Sequence, residues 1–334
     1  MLDVNESKLT QFVVHYVDDV VVFSEEQPKV NDIILEAALT ELAFYKVDTE
    51  QQFDFFHETN INLNEVYTYA QAVFADKQQF FTQSKNIATH LQASSQHPNI
   101  KPGELFVGFF ENCMFQNELR NVLAIAKIED REMFLNVQNT DNTMQVHGVD
   151  GINVKKSSHA ALIIDMGGEE APAVFIKTRR KEDVVYWQER FLKLRATDEN
   201  FYKTNLALTH VKKYILKQDD FSNTEKLNYL NKTLDFFREQ EKFEVDPYID
   251  NVFESVEDVQ KDILKQTVAP YETDISDSAI AKAAKSYKRK IKLDETVEIQ
   301  VNVRDVSDIE KILEVGYDKE TNRKFYKIYF DEEN

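Results

Sequence analysis

The chain has 334 residues, 42% of them hydrophobic, with 24 Phe, 14 Tyr and a formal net charge of -19. That apolar content supplies a packed core and excludes general disorder, and the length leaves room for two domains. The acidic excess is even: 18 basic against 29 acidic side chains in residues 1–195, and 22 against 30 in residues 196–334. Neither half is a basic nucleic-acid-binding domain by composition, so a polyanion could be bound only at a local positive patch.

Residues 7–24 read as strand, in two β-rich runs at 12–17 and 20–23. A helix is predicted over 31–45, with Ile34, Ala38 and Leu42 on one face, then a short aromatic segment at 52–56. Asn62 and Glu65 have the spacing of a capping box, and Leu63, Val66, Ala70 and Val73 form the stripe that follows. A second helix covers 77–94 through Phe80, Ser84, Ile87 and Leu91. Residues 104–177 are β-rich, with runs at 105–110, 122–128, 133–137, 144–147, 160–164 and 173–176, and turns at 139–142 and 167–170. Short strands at this spacing imply an antiparallel meander rather than βαβ units. A helical stripe of Val184, Trp187, Phe191 and Leu194 closes the first part.

From about Ala196 the style changes. A helix is predicted over 198–217 through Phe201, Leu208, Val211 and Ile215, and a capping box at Ser222 and Glu225 opens another with Leu227, Leu230, Leu234 and Phe237. Pro247 opens a further helical stretch, and a hairpin of 311–315 and 323–330 ends the chain. The expected fold class is α+β: an α+β domain over 1–195 with a largely antiparallel sheet and flanking helices, then a helical segment and a small antiparallel sheet over 196–334.

The sustained basic run lies in residues 281–303, AKAAKSYKRKIKLDETVEIQVNV. Between Asp277 and Asp294 there is no acidic residue, but there are Lys282, Lys285, Lys288, Arg289, Lys290 and Lys292. On a helix, Ile280, Ala284, Tyr287 and Ile291 share one face and Lys282, Lys285, Arg289 and Lys292 the opposite one. Val297, Ile299, Val301 and Val303 then alternate with polar residues, as in a half-buried strand. A second cluster, Lys177, Arg179, Arg180 and Lys181, follows a strand. Both clusters are candidate phosphate contacts, with Tyr186, Trp187 and Tyr287 near enough in sequence to stack on bases; a solvated helix face over a packed aromatic carries the same pattern.

Other chemistry is sparse. The single cysteine, Cys113, excludes an intramolecular disulfide and a cysteine zinc site. The seven glycines form neither a dinucleotide nor a P-loop array, and the seven histidines have no metal-ligand spacing, with His15 and His159 read as structural. No cofactor and no metal is expected. Asp165 and Lys177, at the ends of successive strands, suggest a hairpin nuclease, but Phe175 takes the slot of the second acid and Glu169 and Glu170 fall in the turn. The N-terminus lacks the layout of a secretion signal and no apolar run is long enough to span a bilayer, so a soluble, intracellular protein is expected.

FFHETNINLNEVYTYAQAVF (55–74), SKNIATHLQASSQHPNIKPGELFVGFF (84–110) and VVYWQERFL (184–192) together resemble the bacterial 37-kDa nucleoid-associated protein family, and IKLDETVEIQVNV is similar to its closing strand region. The resemblance implies a cytoplasmic bacterial protein of the nucleoid, α+β and homo-oligomeric, with DNA or a DNA-bound protein such as a topoisomerase as partner. It brings no catalytic residues. Three functions follow as expectations: a non-enzymatic nucleoid protein binding DNA, salt-sensitively, through the two basic clusters; an acidic module that docks on a topoisomerase or polymerase or mimics DNA; and a divergent metal-dependent nuclease.

Overall fold

The computed structural model describes residues 2–30, 32–140, 143–168, 170–179, 183–254, 256–293, 297–302 and 313–329. Of the positions used above, Asn31, Asp141, Asn142, Glu169, Arg180, Lys181, Asp294, Val303, Lys311 and Phe330 lie outside them. The chain forms two compact units, Met1–Thr197 and Asp198–Asn334.

The first unit runs β1 (Leu2–Asp3), β2 (Lys8–Val17), α1 (Ile33–Phe44), β3 (Phe53–Phe55), α2 (Glu65–Ala75), α3 (Phe80–Ser94), β4 (Gly103–Phe115), β5 (Glu118–Ile128), β6 (Glu132–Thr140), β7 (Thr143–Gly151), β8 (His159–Ile164), β9 (Ala173–Lys177), a π-helix (Val185–Leu192) and β10 (Leu194–Ala196). Its eight-stranded sheet has the order β1-β4-β5-β8-β9-β3-β10, with β2 also on β4. The pairings are antiparallel, so the predicted meander is present, with the β6–β7 hairpin inserted between β5 and β8. Both alternations of the central strands are apolar because both faces are covered. Phe106, Phe110, Ala124 and Leu162 pack with Leu39 and Leu42 of α1. Val107, Phe109, Leu123, Ile125 and Ile163 are equally buried, with Phe74 of α2 set 6.2 Å from Phe109 between ring centroids.

Several local expectations are corrected. Residues 20–23 form no strand of the sheet; Tyr16 and Val22 make an isolated bridge, and Val20 and Val22 stay exposed because no sheet face receives them. In α1 the buried face is Leu39, Leu42 and Ala43, while Ile34 is exposed. Asn64, not Asn62, caps α2 through the Tyr67 N–H, because its side-chain amide also reaches the carbonyls of Phe56, Leu192 and Lys193 from a buried position. The predicted 77–94 helix begins as a 3-10 turn, Lys77–Gln79, before α3. The predicted 184–194 stripe is a π-helix over Val185–Leu192, ended by Lys193 in the left-handed region at φ 51°, and its last member, Leu194, belongs to β10 instead.

The second unit contains α4 (Glu199–Lys217), α5 (Asn223–Glu239), β11 (Lys242–Phe243), α6 (Val245–Val252), α7 (Asp258–Val268), β12 (Thr273–Asp274), α8 (Asp277–Ser286), and the strands β13 (Lys288–Leu293), β14 (Val297–Asn302), β15 (Leu313–Asp318) and β16 (Arg323–Ile328). Strands β13–β14 and β15–β16 are separate two-stranded sheets. The predicted stripes meet in one core of Leu208, Val211, Ile215, Leu227, Leu230, Leu234 and Phe237, completed by Phe243, Tyr248 and Phe253. Phe237 stacks on Phe243 at 4.7 Å, and the buried Tyr248 hydroxyl shares a hydrogen bond with Thr233 Oγ1 at 2.9 Å. The Ser222–Glu225 capping box is formed in both directions. Ser222→Ala removes one of its two bonds, so unfolding in urea is expected to show a loss of about 1 kcal/mol, and a loss under a few tenths would reject the cap as a stabilising element.

Candidate nucleic-acid interface

The basic run of the second unit is split between two kinds of backbone. Ala279, Ile280, Ala283 and Ala284 bury one face of α8, and Tyr287 follows it, 1% exposed, donating its hydroxyl to the Leu208 carbonyl at 2.8 Å. That anchor ends the helix. The chain then runs straight into β13, whose register on β14 pairs Lys288 with Asn302, Arg289 with Val301, Lys290 with Gln300, Ile291 with Ile299, Lys292 with Glu298 and Leu293 with Val297. The single helix face predicted for Lys282, Lys285, Arg289 and Lys292 therefore does not exist. Nor does Ile291 continue the stripe of Ile280, Ala284 and Tyr287. A prolonged helix would have stacked Lys285, Arg289 and Lys292 at four- and three-residue spacing, where like charges repel, whereas the ladder satisfies the backbone on β14.

Lys282 and Lys285 remain on α8, where the Lys282 ammonium lies 5.5 Å from the Phe201 ring centroid and Lys285 is exposed in the last turn. Lys288, Arg289, Lys290 and Lys292 lie on β13, opposite a strand that sets one carboxylate residue, Glu298, among their register partners. Sequence reasoning missed Lys212. It sits on α4 beside the buried stripe of Leu208 and Val211, and its ammonium donates to the Ser286 carbonyl at 2.5 Å and approaches Ser286 Oγ at 3.3 Å. It also lies 5.6 Å from the Tyr287 ring. Partial burial holds it below the ordinary lysine range. Its place beside an apolar stripe was visible in the sequence, but its meeting with α8 across more than 70 positions was not.

The first-unit cluster is engaged differently. Lys177 ends β9, half-buried, with its ammonium donating to the Tyr45 carbonyl at 3.1 Å and to Ser157 Oγ at 2.9 Å. Burial, then nearby Lys46, hold it below its usual range. Arg179 pairs with Asp130, which also takes Lys101 at 3.1 Å; the two cations hold that carboxyl below the usual carboxylate range. Arg180 and Lys181 lie outside the described residues. The three aromatic residues considered for base stacking are buried: Trp187 donates its indole N–H to the Ala160 carbonyl at 3.3 Å, and Tyr186 and Tyr287 are as enclosed.

The hairpin-nuclease arrangement is not assembled either. In the β8–β9 register Ile164 faces Ala173 and Ala160 faces Lys177, which leaves Asp165 and Lys177 at opposite ends of the strand pair. The Asp165 carboxylate instead accepts the Gly167 N–H, in a turn where Gly167 and Gly168 both have positive φ. Among the described residues no group of three or more His, Cys, Asp and Glu could hold a metal ion. No described helix is long and apolar enough to cross a membrane.

The first unit also buries a polar cluster. Lys127 of β5, directly opposite His159 of β8 in the register, is 1% exposed and donates to the Lys101 carbonyl at 2.7 Å. Its ammonium is 3.3 Å from Glu129 Oε1, and His159 Nε2 is 3.5 Å from the same oxygen. A cavity of about 360 Å³ lined by Asp18, Asp19, Gln92, Lys101 and Lys127 opens beside it. Lys127 offers it little charge, since its ammonium already serves Glu129 and Lys101.

Fold and charge pattern define a two-unit α+β protein, acidic overall, whose basic run spans α8 and β13 of the second unit. A family model described as nucleoid-associated protein YejK matches residues 13–324, and the chain belongs to that family. Comparison with curated proteins and with solved structures finds no match. Family membership carries a nucleoid-associated role.

Proposed function

We propose that the protein is a non-enzymatic nucleoid-associated protein that contacts DNA directly through the basic corner of its second unit. Lys282 and Lys285 of α8 and Lys288, Arg289, Lys290 and Lys292 of β13 are the phosphate-contacting cations, while Lys212 of α4, already engaged by Ser286, borders them. One observation carries this: six cations and no carboxylate lie between Asp277 and Asp294 in a chain of net charge -19. A helix and a two-stranded ribbon are both elements that a DNA groove admits. In the other cluster, by contrast, Lys177 and Arg179 are held by Tyr45, Ser157 and Asp130.

The test is a salt series of duplex binding by the full chain. Log affinity is expected to fall linearly with log salt, with charge reversal of Lys288, Arg289 and Lys290 lowering that slope by about three and the affinity at least tenfold. Unchanged binding in the triple variant removes the corner from consideration. The net charge of -19 favours a second reading, an acidic surface docking on a basic DNA-bound protein such as a topoisomerase. Failure of the wild-type chain to bind duplex at low salt, together with capture of a purified topoisomerase, would select it.

A further inference from the structure

The β6–β7 hairpin is amphipathic, and its apolar face is bare. The register sets Val137 opposite Val146, Leu135 opposite Gly148, Met133 opposite Asp150 and Asn139 opposite Met144, so these residues share one face. Met133 is 75% exposed, Leu135 74%, Val137 53%, Met144 64% and Val146 59%. On the reverse face Asn136 opposes His147, Gln138 opposes Gln145 and Thr140 opposes Thr143, with the apolar Phe134 and Val149 confined to the base. The alternation in the sequence therefore builds a sheet face as apolar as a core face, yet no described element covers it.

The base of the ribbon is fixed. Arg131 pairs with both Glu104 and Asp150, its Nε lying 2.7 Å from Asp150 Oδ2, and Asn153 donates to Glu132 Oε2 at 2.9 Å. An isolated two-stranded ribbon is at best marginal in water, so an apolar ribbon held out from a sheet gains most from a second layer.

We propose that this face is an isologous dimer interface, and that the layer covering Met133, Leu135, Val137, Met144 and Val146 is the same face of a second copy of the chain. Charge and area choose that occupant. A chain of net charge -19 repels its own copy through most of its surface, but residues 133–140 and 143–149 contain no Asp, Glu, Lys or Arg. A basic partner would be met by carboxylates, and the one that this face carries, Asp150 at its base, is already paired with Arg131. The five side chains expose on the order of 500 Å², so two copies reach the roughly 1,000 Å² that a specific interface requires. A face of Met, Leu and Val is complementary to itself, as a two-fold interface demands, and two ribbons can stack at the ordinary sheet-to-sheet spacing. The inference is independent of DNA contact: the ribbon belongs to the first unit and the basic corner to the second.

The experiment is sedimentation velocity on the full chain over a concentration series, at low and high salt, with three variants. The wild type is expected to dimerise, no more weakly at high salt than at low. Leu135→Glu and Met144→Lys should each raise the dimer dissociation constant about a hundredfold or more, because each buries an unpaired charge twice per dimer. The two add charge of opposite sign, so a shared loss marks burial rather than long-range repulsion. Gln138→Glu, on the polar face, should leave the dimer intact. All three positions lie on an exposed ribbon, and unchanged circular dichroism and melting temperature would show that each variant is folded. A wild type that is monomeric throughout overturns the proposal, as does a dimer that survives Leu135→Glu and Met144→Lys or is lost equally in Gln138→Glu.

Discussion

Lys127→Met is expected to destabilise the first unit by about 3–5 kcal/mol, the cost of leaving a buried ion without its partner. The side chains of Lys127 and Glu129 are 1% and 2% exposed, 3.3 Å apart. Burial opposes both charges. It holds the Lys127 ammonium below its ordinary value, and it would raise Glu129, but His159 and Lys127 outweigh it and keep that carboxyl below the usual range. The Tyr186 hydroxyl, at 3.5 Å, also points at Glu129 Oε1, while Oε2 has no hydrogen-bond partner among the described residues. Removing the ammonium leaves the carboxylate with His159 and a phenol, and frees the Lys101 carbonyl that Lys127 also serves.

The companion variant makes this a test of mechanism. Lys127→Met with Glu129→Leu removes both charges and should recover most of the loss, since an apolar pair of similar volume is commonly neutral or better than a buried ion pair. Trp187, the one tryptophan of the chain, lies 5.2 Å from His159 between ring centroids, so its fluorescence in a urea titration reports this neighbourhood directly. A single variant costing under 1 kcal/mol would mean that water reaches the pair. A double variant as unstable as the single one would mean that packing, not charge, holds the site.

Where one period ran through a whole element, the sequence was enough. The stripes of Phe80, Ser84, Ile87 and Leu91, and of Leu208, Val211 and Ile215, are buried as predicted, and the Ser222 capping box formed. Failure came where two local signals competed. Asn60, Asn62 and Asn64 offer three caps within five positions, and the choice fell to the one whose amide could also serve carbonyls 128 and 129 residues away. From Tyr287 to Leu293, helix and strand patterns both fit, and the decision rests on β14 and on the hydroxyl contact with Leu208, neither of them local. The candidate site was legible as charge and illegible as shape. Lys282 to Lys292 could be read off the chain, but Lys212 joins them only through the packing of α4 beside α8, and the engagement of Lys177 and Arg179 depends on Tyr45, Ser157 and Asp130, all remote in sequence.

His15 sets the acid limit of the first unit. It lies on β2, 1% exposed, between Ser84 Oγ at 3.1 Å from Nε2 and the Ser24 N–H at 3.1 Å from Nδ1. Ser84 already donates its hydroxyl to the Phe81 carbonyl, so Nε2 must carry the proton and Nδ1 must accept. A second proton on Nδ1 would destroy the Ser24 bond and bury a charge, with Lys85 as the nearby cation. Burial first, and Lys85 second, push this histidine down from 6.5 to about 4. The unfolded chain then binds a proton that the folded chain refuses, so stability is constant above the unfolded value and falls as pH drops from 6.5 to about 4. The loss is about 3 kcal/mol once the full window is crossed. His90 is pushed down by burial too, against a Phe191 carbonyl that accepts its proton, and contributes with the same sign. Glu65, Glu129 and Asp130, held below their ordinary values, lose their contributions only at lower pH. The difference between wild type and His15→Gln isolates the His15 share: urea unfolding at successive pH values should show the wild type losing about 3 kcal/mol more than the variant across that window. Equal slopes in the two proteins would place the acid sensitivity elsewhere and leave His15 a packing residue only.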